Sequence, residues 1–375
     1  MPPINGMGMR SIGNLMGSFM QIVTGAIKPG EDPILPSLKY YNPLPGVDDS
    51  HLRASAINLN VSEKAKTSDL RKFPMFFRPE KGYAVIDQGF YFKKIYRGTQ
   101  FDLRSKSDLS GVDGGVYNSD IAELVLEKMC FKSILTSLKK TDREKLLFDD
   151  KTDNSPDGFY SYKSQSILWE FKGYMLPDSL LEKPSFETFK FYIDDRFVQN
   201  SKGKRKGVSQ LAYIIDLMAR GKTPWFQIPE GTDGRKKQQI FPVLSFDDYY
   251  FTMPGINKYL NKIFQDKLTD DAKKVFDIMP VTLINLDVLF FLSIRKSNFG
   301  ELKEFIIRYW SIINARTSKY QKTGLSGDLL PSLASFDDIF HTIMVENLKG
   351  RLPADPMTVL LNLGNITQER LDAEV

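Results

Sequence analysis

The run Ile167–Tyr174, reading ILWEFKGY, most restricts what this chain can fold into. With Phe159, Tyr160 and Tyr162 ahead of it and a polar turn Lys163–Ser166 between, it predicts a β-hairpin. Alternation places Leu168, Glu170, Lys172 and Tyr174 on one face and Ile167, Trp169, Phe171 and Gly173 on the other. A strand apolar on both faces belongs in the middle of a sheet. Glu170 and Lys172 are then costly: two charges on a buried strand persist only when paired, metal-bound or facing a cleft. Asp157 lies at the mouth of the hairpin, where it can fold back beside Glu170.

Pro156-Asp157 followed by Glu170-Phe171-Lys172 resembles the motif of the PD-(D/E)xK nucleases. Other acid-x-Lys triplets occur at Asp149–Lys151, Asp271–Lys273 and Glu301–Lys303, in a polar loop and in helical patterns. Only Glu170 has an apolar strand around it and a Pro-Asp upstream. The resemblance implies that Asp157 and Glu170 hold Mg²⁺ or Mn²⁺ while leaving room for water and a phosphate oxygen. It also implies that Lys172 orients the nucleophile or offsets the developing anion. The competing expectation is a two-sided strand whose Glu and Lys pair at a solvated face.

Composition excludes several other chemistries. The 375 residues contain one cysteine, Cys130, in an apolar helical pattern, so neither a disulfide framework nor a cysteine zinc site is available. The two histidines, His51 and His341, stand far apart without companions, which argues against a Ser-His-Asp enzyme or a zinc hydrolase. No run reaches the ~18 apolar residues of a membrane span, and the sequence reads as cytoplasmic. A net charge of +5 permits nucleic acid as a partner without demanding it. No Gly-x-x-x-x-Gly-Lys phosphate loop is present.

Residues 1–72 read as an extended N-terminal arm, punctuated by Lys28–Pro33 and Asn42–Gly46, with a short amphipathic helix over Met16–Ile27. Residues 73–114 read as a small β-rich segment of aromatic strands separated by Gly82, Gly89 and Gly98. Residues 115–265 form the nuclease-like core, and 266–375 a mainly helical region. Within the core, Ile121–Leu138 has apolar residues at helical spacing, among them Leu124, Val125, Cys130 and Ile134. The same helix carries Glu123 and Glu127. In many members of the superfamily an acid on the helix before the hairpin adds to the metal site, so the resemblance implies Glu123 or Glu127 as a further ligand, two positions that pattern does not separate. Both equally fit two solvated acids.

After the hairpin, Lys202, Lys204, Arg205 and Lys206 crowd a glycine-flanked loop suited to backbone phosphates. They precede an amphipathic helix from Val208, and the resemblance places Gln210, in its first turn, at the catalytic site. Trp225–Ile228 and Ile240–Leu244 read as further strands, and Arg235, Lys236 and Lys237 make a second basic loop between them.

The expectation is an α/β, restriction-endonuclease-like mixed sheet flanked by helices, with an N-terminal β-rich extension and a helical C-terminal region. It acts as a metal-dependent nuclease on DNA, by analogy in restriction or anti-phage defence. A homodimer or partner protein would dock through the N-terminal arm and C-terminal helices. The rival is a non-catalytic nucleic-acid-binding or scaffold protein that keeps the fold.

Overall fold

The computed structural model describes residues 30–31, 39–42, 53, 56–57, 75–78, 81–85, 111–148, 155–183, 185–227 and 237–348. They fall into two compact units, one of Gly114–Leu176 and Pro184–Ala354, the other of Met1–Asp113, Pro177–Lys183 and Asp355–Val375.

The second of these contains one sheet of five short strands: β1 (Gly30–Glu31), β2 (Lys39–Tyr41), β3 (Ala56–Ile57), β4 (Met75–Arg78) and β5 (Gly82–Val85). They lie in the order β1-β2-β5-β4-β3. The expected boundary at residue 72 does not separate two structures, because β2 pairs with β5 and β3 with β4. Strands of two or three residues have no alternation to read, so Pro and Gly punctuation masked them. The expected helix at Met16–Ile27 and the aromatic strands at 90–96 lie outside the described residues.

The larger unit is a mixed α/β domain. Its sheet holds β6 (Lys145–Phe148), β7 (Gly158–Tyr162), β8 (Gln165–Lys172), β9 (Gln238–Phe246), β10 (Phe276–Ile278) and β11 (Thr282–Asn285). β8 is central, antiparallel to β7 and parallel to β9. The hairpin turn is only Lys163-Ser164, since Tyr162 pairs with Gln165, and Lys163 takes a left-handed φ of 54°. The free edge of β9 is shared between β10 and β11, with Pro280 in the gap. Two strands beyond residue 265 therefore complete the sheet, and the core does not end there. Trp225-Phe226-Gln227 forms no strand. Both rings instead pack on Phe159, at 4.9 and 5.8 Å between centroids.

Ile167, Trp169 and Phe171 on β8 join a core with Phe131, Ile134, Leu135, Leu289, Ile306 and Phe340. The helices behind these residues are α1 (α-helical Gly114–Asp120, π-helical Ile121–Phe131, α-helical Lys132–Leu138), α6 (Leu286–Ile294), α7 (Phe299–Thr323) and α8 (Phe336–Leu348). α8 buries Phe336, Ile339, Phe340, Ile343 and Met344 in that core, so it is part of the domain and not a separate docking module. Each such large side chain contributes ~1.5–3 kcal/mol on burial. α3 (Gly207–Ala219) packs on β8 and β9, and α4 (Ile256–Lys267) and α5 (Asp270–Val275) pack on α3. α2 (Phe186–Phe197) opens with Ser185, whose Oγ accepts from the Thr188 N–H, and it also packs on α3.

The π-helical stretch overturns one expectation. Leu124, Val125 and Met129 are exposed while Glu127 turns inward. A stripe spaced for 3.6 residues per turn loses phase where the bonding runs i→i+5. Lys128 Nζ then reaches Glu123 Oε1 at 2.5 Å, five residues away, a pair that an α-helix would hold on separated faces.

Candidate active site

β7 and β8 place the motif residues. Gly158 pairs with Trp169, so one step further the register sets Asp157 opposite Glu170. Asp157 Oδ2 accepts from the Phe171 N–H at 2.6 Å, which fixes the carboxylate against the strand. Lys172 Nζ donates to Glu170 Oε1, its neighbour two residues away on the same face. Gly173 follows, where a Cβ would stand 2.6 Å from the Ala122 Cβ. Glycine here lets α1 approach the strand end and brings Glu127 near.

Glu170 is 1% exposed and its Oε2 is buried without a hydrogen-bond partner. Burial pushes its carboxyl well above the usual range, Asp157 and Glu127 push it further, and Lys172 opposes them. Glu127 rises from 4.5 to about 7, through burial first and then the charge of Asp157, with Lys172 opposing. For Lys172, burial alone favours loss of the proton, but Glu170 and Asp157 outweigh it and hold the ammonium charged. Three carboxyls thus converge on one lysine, and full ionisation of all three would leave net negative charge, which the raised Glu170 and Glu127 relieve by holding protons. Like charges directly across a strand pair are destabilising unless something offsets them.

Among the described residues no three His, Cys, Asp or Glu side chains are arranged to hold a metal ion. The donor set is a facing carboxylate pair with one buried unsatisfied oxygen. Its chemistry fits Mg²⁺, which commonly takes one or two protein carboxylates and keeps several waters.

The other expected residues are placed as follows. Glu123 is paired with Lys128, with its side chain 58% exposed, whereas Glu127 bears on Asp157, Glu170 and Lys172. Gln210 Oε1 accepts from the Gly207 N–H at 3.1 Å, so its amide closes the first turn of α3. Lys202, Lys204 and Arg205 are exposed on a small loop closed by a Gln199–Arg205 bridge, Lys206 is half-buried, and Arg205 stacks on Tyr213 at 4.1 Å. Arg235 and Lys236 lie outside the described residues. Lys237 is exposed and donates to the Lys273 carbonyl. It precedes β9, beyond the Gln165 end of parallel β8, roughly 30 Å along the strand from Lys172 at ~3.3 Å per residue. It therefore does not adjoin the carboxylates. A cavity of about 570 Å³ lined by Gln165, Lys237, Gln239, Lys273 and Asp277 opens at that far end.

Sequence reasoning passed over Asp247. Phe246 pairs with Lys172, and Asp247, one residue on, is a buried carboxylate at the same end of the sheet. An acidic residue directly after an apolar strand was the available signal. Its neighbour Asp248 accepts from the Leu176 N–H at 2.8 Å and ties the segment after β8 to the end of β9.

No protein-family model matches this sequence, and no curated protein does. Among solved structures, the small subunit of the heterodimeric restriction endonuclease R.BspD6I aligns with a TM-score of 0.26 at 12% identity, over 67% of this chain and 100% of that one. Among the described residues, no helix is long and apolar enough to cross a membrane.

Proposed function

We propose that the chain is a divalent-metal-dependent nuclease that hydrolyses DNA phosphodiester bonds at the C-terminal end of β8. The observation that carries the reading is the facing pair of half-buried Asp157 and buried Glu170 beside Lys172, with more carboxyls than one lysine can offset. Asp157 and Glu170 would hold Mg²⁺ or Mn²⁺, with Glu127 as the further acid. When bound, the metal supplies Lewis-acid stabilisation of phosphate charge and a more acidic water. Lys172 keeps its proton, so it serves as a fixed cation toward a phosphate oxygen or an attacking water and not as a general base. The exposed Lys202, Lys204 and Arg205 would hold the backbone without reading sequence.

A second reading has its own observation. Lys172 is engaged with Glu170 and is only 13% exposed, which a non-catalytic protein that keeps the fold to bind nucleic acid would also accommodate. Replacing Lys172 by alanine separates the two. The nuclease reading expects Mn²⁺-dependent cleavage of plasmid DNA that falls at least about 100-fold in Lys172→Ala and in Glu170→Gln, with DNA affinity retained. The scaffold reading expects no cleavage by the wild-type protein and salt-sensitive binding in all three.

A further inference from the structure

We infer that Arg196 is a phosphate-binding residue of this site, gripping the nucleic-acid backbone beside the phosphate on which Asp157, Glu170 and Lys172 would act. The inference rests on the nuclease reading and adds a substrate contact to it.

Arg196 lies in the last turn of α2, yet it is placed by the segment that leaves β8. Tyr174 stands two residues beyond Lys172 and bears on the charge of that lysine. The Arg196 guanidinium carbon sits 5.0 Å from the Tyr174 ring centroid and 5.4 Å from that of Tyr192. Both platforms are themselves held. Tyr174 packs edge-on to Phe197 at 6.2 Å, and Phe197 packs on Phe251 at 4.8 Å. The Tyr192 hydroxyl donates to the Met175 carbonyl at 2.5 Å. Stacking on aromatic faces immobilises a guanidinium while sparing its in-plane N–H groups, and that planar fork matches a phosphate.

The ordinary partner of such an arginine is weak here. Nε is buried and 3.5 Å from Asp195 Oδ2, beyond the length of a charge-assisted hydrogen bond, and the side chain keeps 42% exposure. Asp195 is also committed elsewhere, its Oδ1 accepting from the Ser201 N–H at 3.1 Å. That contact makes Asp195 a hinge between Arg196 and the basic loop. Arg196 thus falls between the end of β8 and Lys202, Lys204 and Arg205. A strand crossing the acidic end of the sheet needs a permanent cation just there, and an arginine does not lose its charge in the working pH range.

The test compares wild-type protein with Arg196→Gln, Arg196→Lys and Tyr174→Leu, the last removing a platform and leaving the arginine. Binding of a fluorescent DNA oligonucleotide is measured in EDTA across a salt series, and cleavage with Mn²⁺ gives KM and kcat. The expected result is about tenfold weaker binding in Arg196→Gln, with a salt slope lower by about one. KM rises by a similar factor and kcat holds within about twofold. Arg196→Lys recovers the salt slope but not the affinity, and Tyr174→Leu weakens binding in the same direction. Wild-type affinity, KM and salt slope in Arg196→Gln would overturn the inference, whatever happens to its melting temperature. Weakened binding in the variants with no cleavage by the wild-type protein would sustain Arg196 as a phosphate contact and overturn the nuclease reading instead.

Discussion

Glu127 shows how far a single side chain departs from its sequence reading. As one of two acids on an amphipathic pattern it was indistinguishable from Glu123, because both positions suit a helix face equally. The i→i+5 bonding of the central part of α1 commits Glu123 to Lys128 and turns Glu127 toward Asp157 and Lys172. Spacing rules written for the α-helix carry no signal for this. The motif residues were legible because a buried strand with two charges violates patterning for a reason. Glu127 predicts a pH effect whose sign follows from its raised pKa. The folded protein binds this proton more tightly than the unfolded chain. The group's contribution to stability is therefore complete below about 4.5 and lost as pH rises through about 7. Half-buried Asp337, also raised to about 7, acts in the same direction and is common to both proteins compared. Glu127→Gln is thus expected to gain melting temperature over the wild type more at pH 8 than at pH 5 in scanning calorimetry without divalent ions. An equal difference at the two values would show that Glu127 is not in this electrostatic environment.

At the scale of elements, the hairpin and α3 were readable, each from a period that tertiary structure left undisturbed. The misread elements share a different cause. Trp225-Phe226 has the composition of a strand, but its rings are used against Phe159, and β9 finds its partners in β10 and β11 across a long sequence gap. Local composition cannot report which partner wins an edge. Two close approaches depend on glycine, that of α1 to the end of β8 at Gly173 and that of the start of α3 to the end of α2 at Gly207. At Gly207, with a φ of 41°, a Cβ would meet the Phe197 carbonyl oxygen at 2.8 Å. At Gly173 it would meet Ala122. Gly173→Ala must move the helix or the strand, since the clash involves a Cβ and a backbone Cα at 3.2 Å and no flexible chain end. The expected cost is ~1–3 kcal/mol by urea denaturation. Activity should fall beyond what stability explains, because Glu127 rides on the displaced helix. A neutral Gly173→Ala would contradict the close approach.

For the whole molecule, the expected mixed sheet flanked by helices is present, and the C-terminal helices are built into it through the Phe336–Met344 face of α8. Burying Glu170 beside the half-buried Asp157 at the end of a central strand is a standing electrostatic cost in a domain whose total stability is ~5–15 kcal/mol. A single lysine meets part of it. The account's central claim is that a divalent cation meets the rest, and that claim is open to direct measurement. Titration of the metal-stripped protein with Mn²⁺ by isothermal calorimetry at pH 7.5 should show a saturable site that is lost in Glu170→Gln, retained in Glu123→Gln and progressively weakened as pH falls below about 7 and the carboxyls take up protons. Undiminished Mn²⁺ binding in Glu170→Gln, or no binding by the wild-type protein, would contradict it.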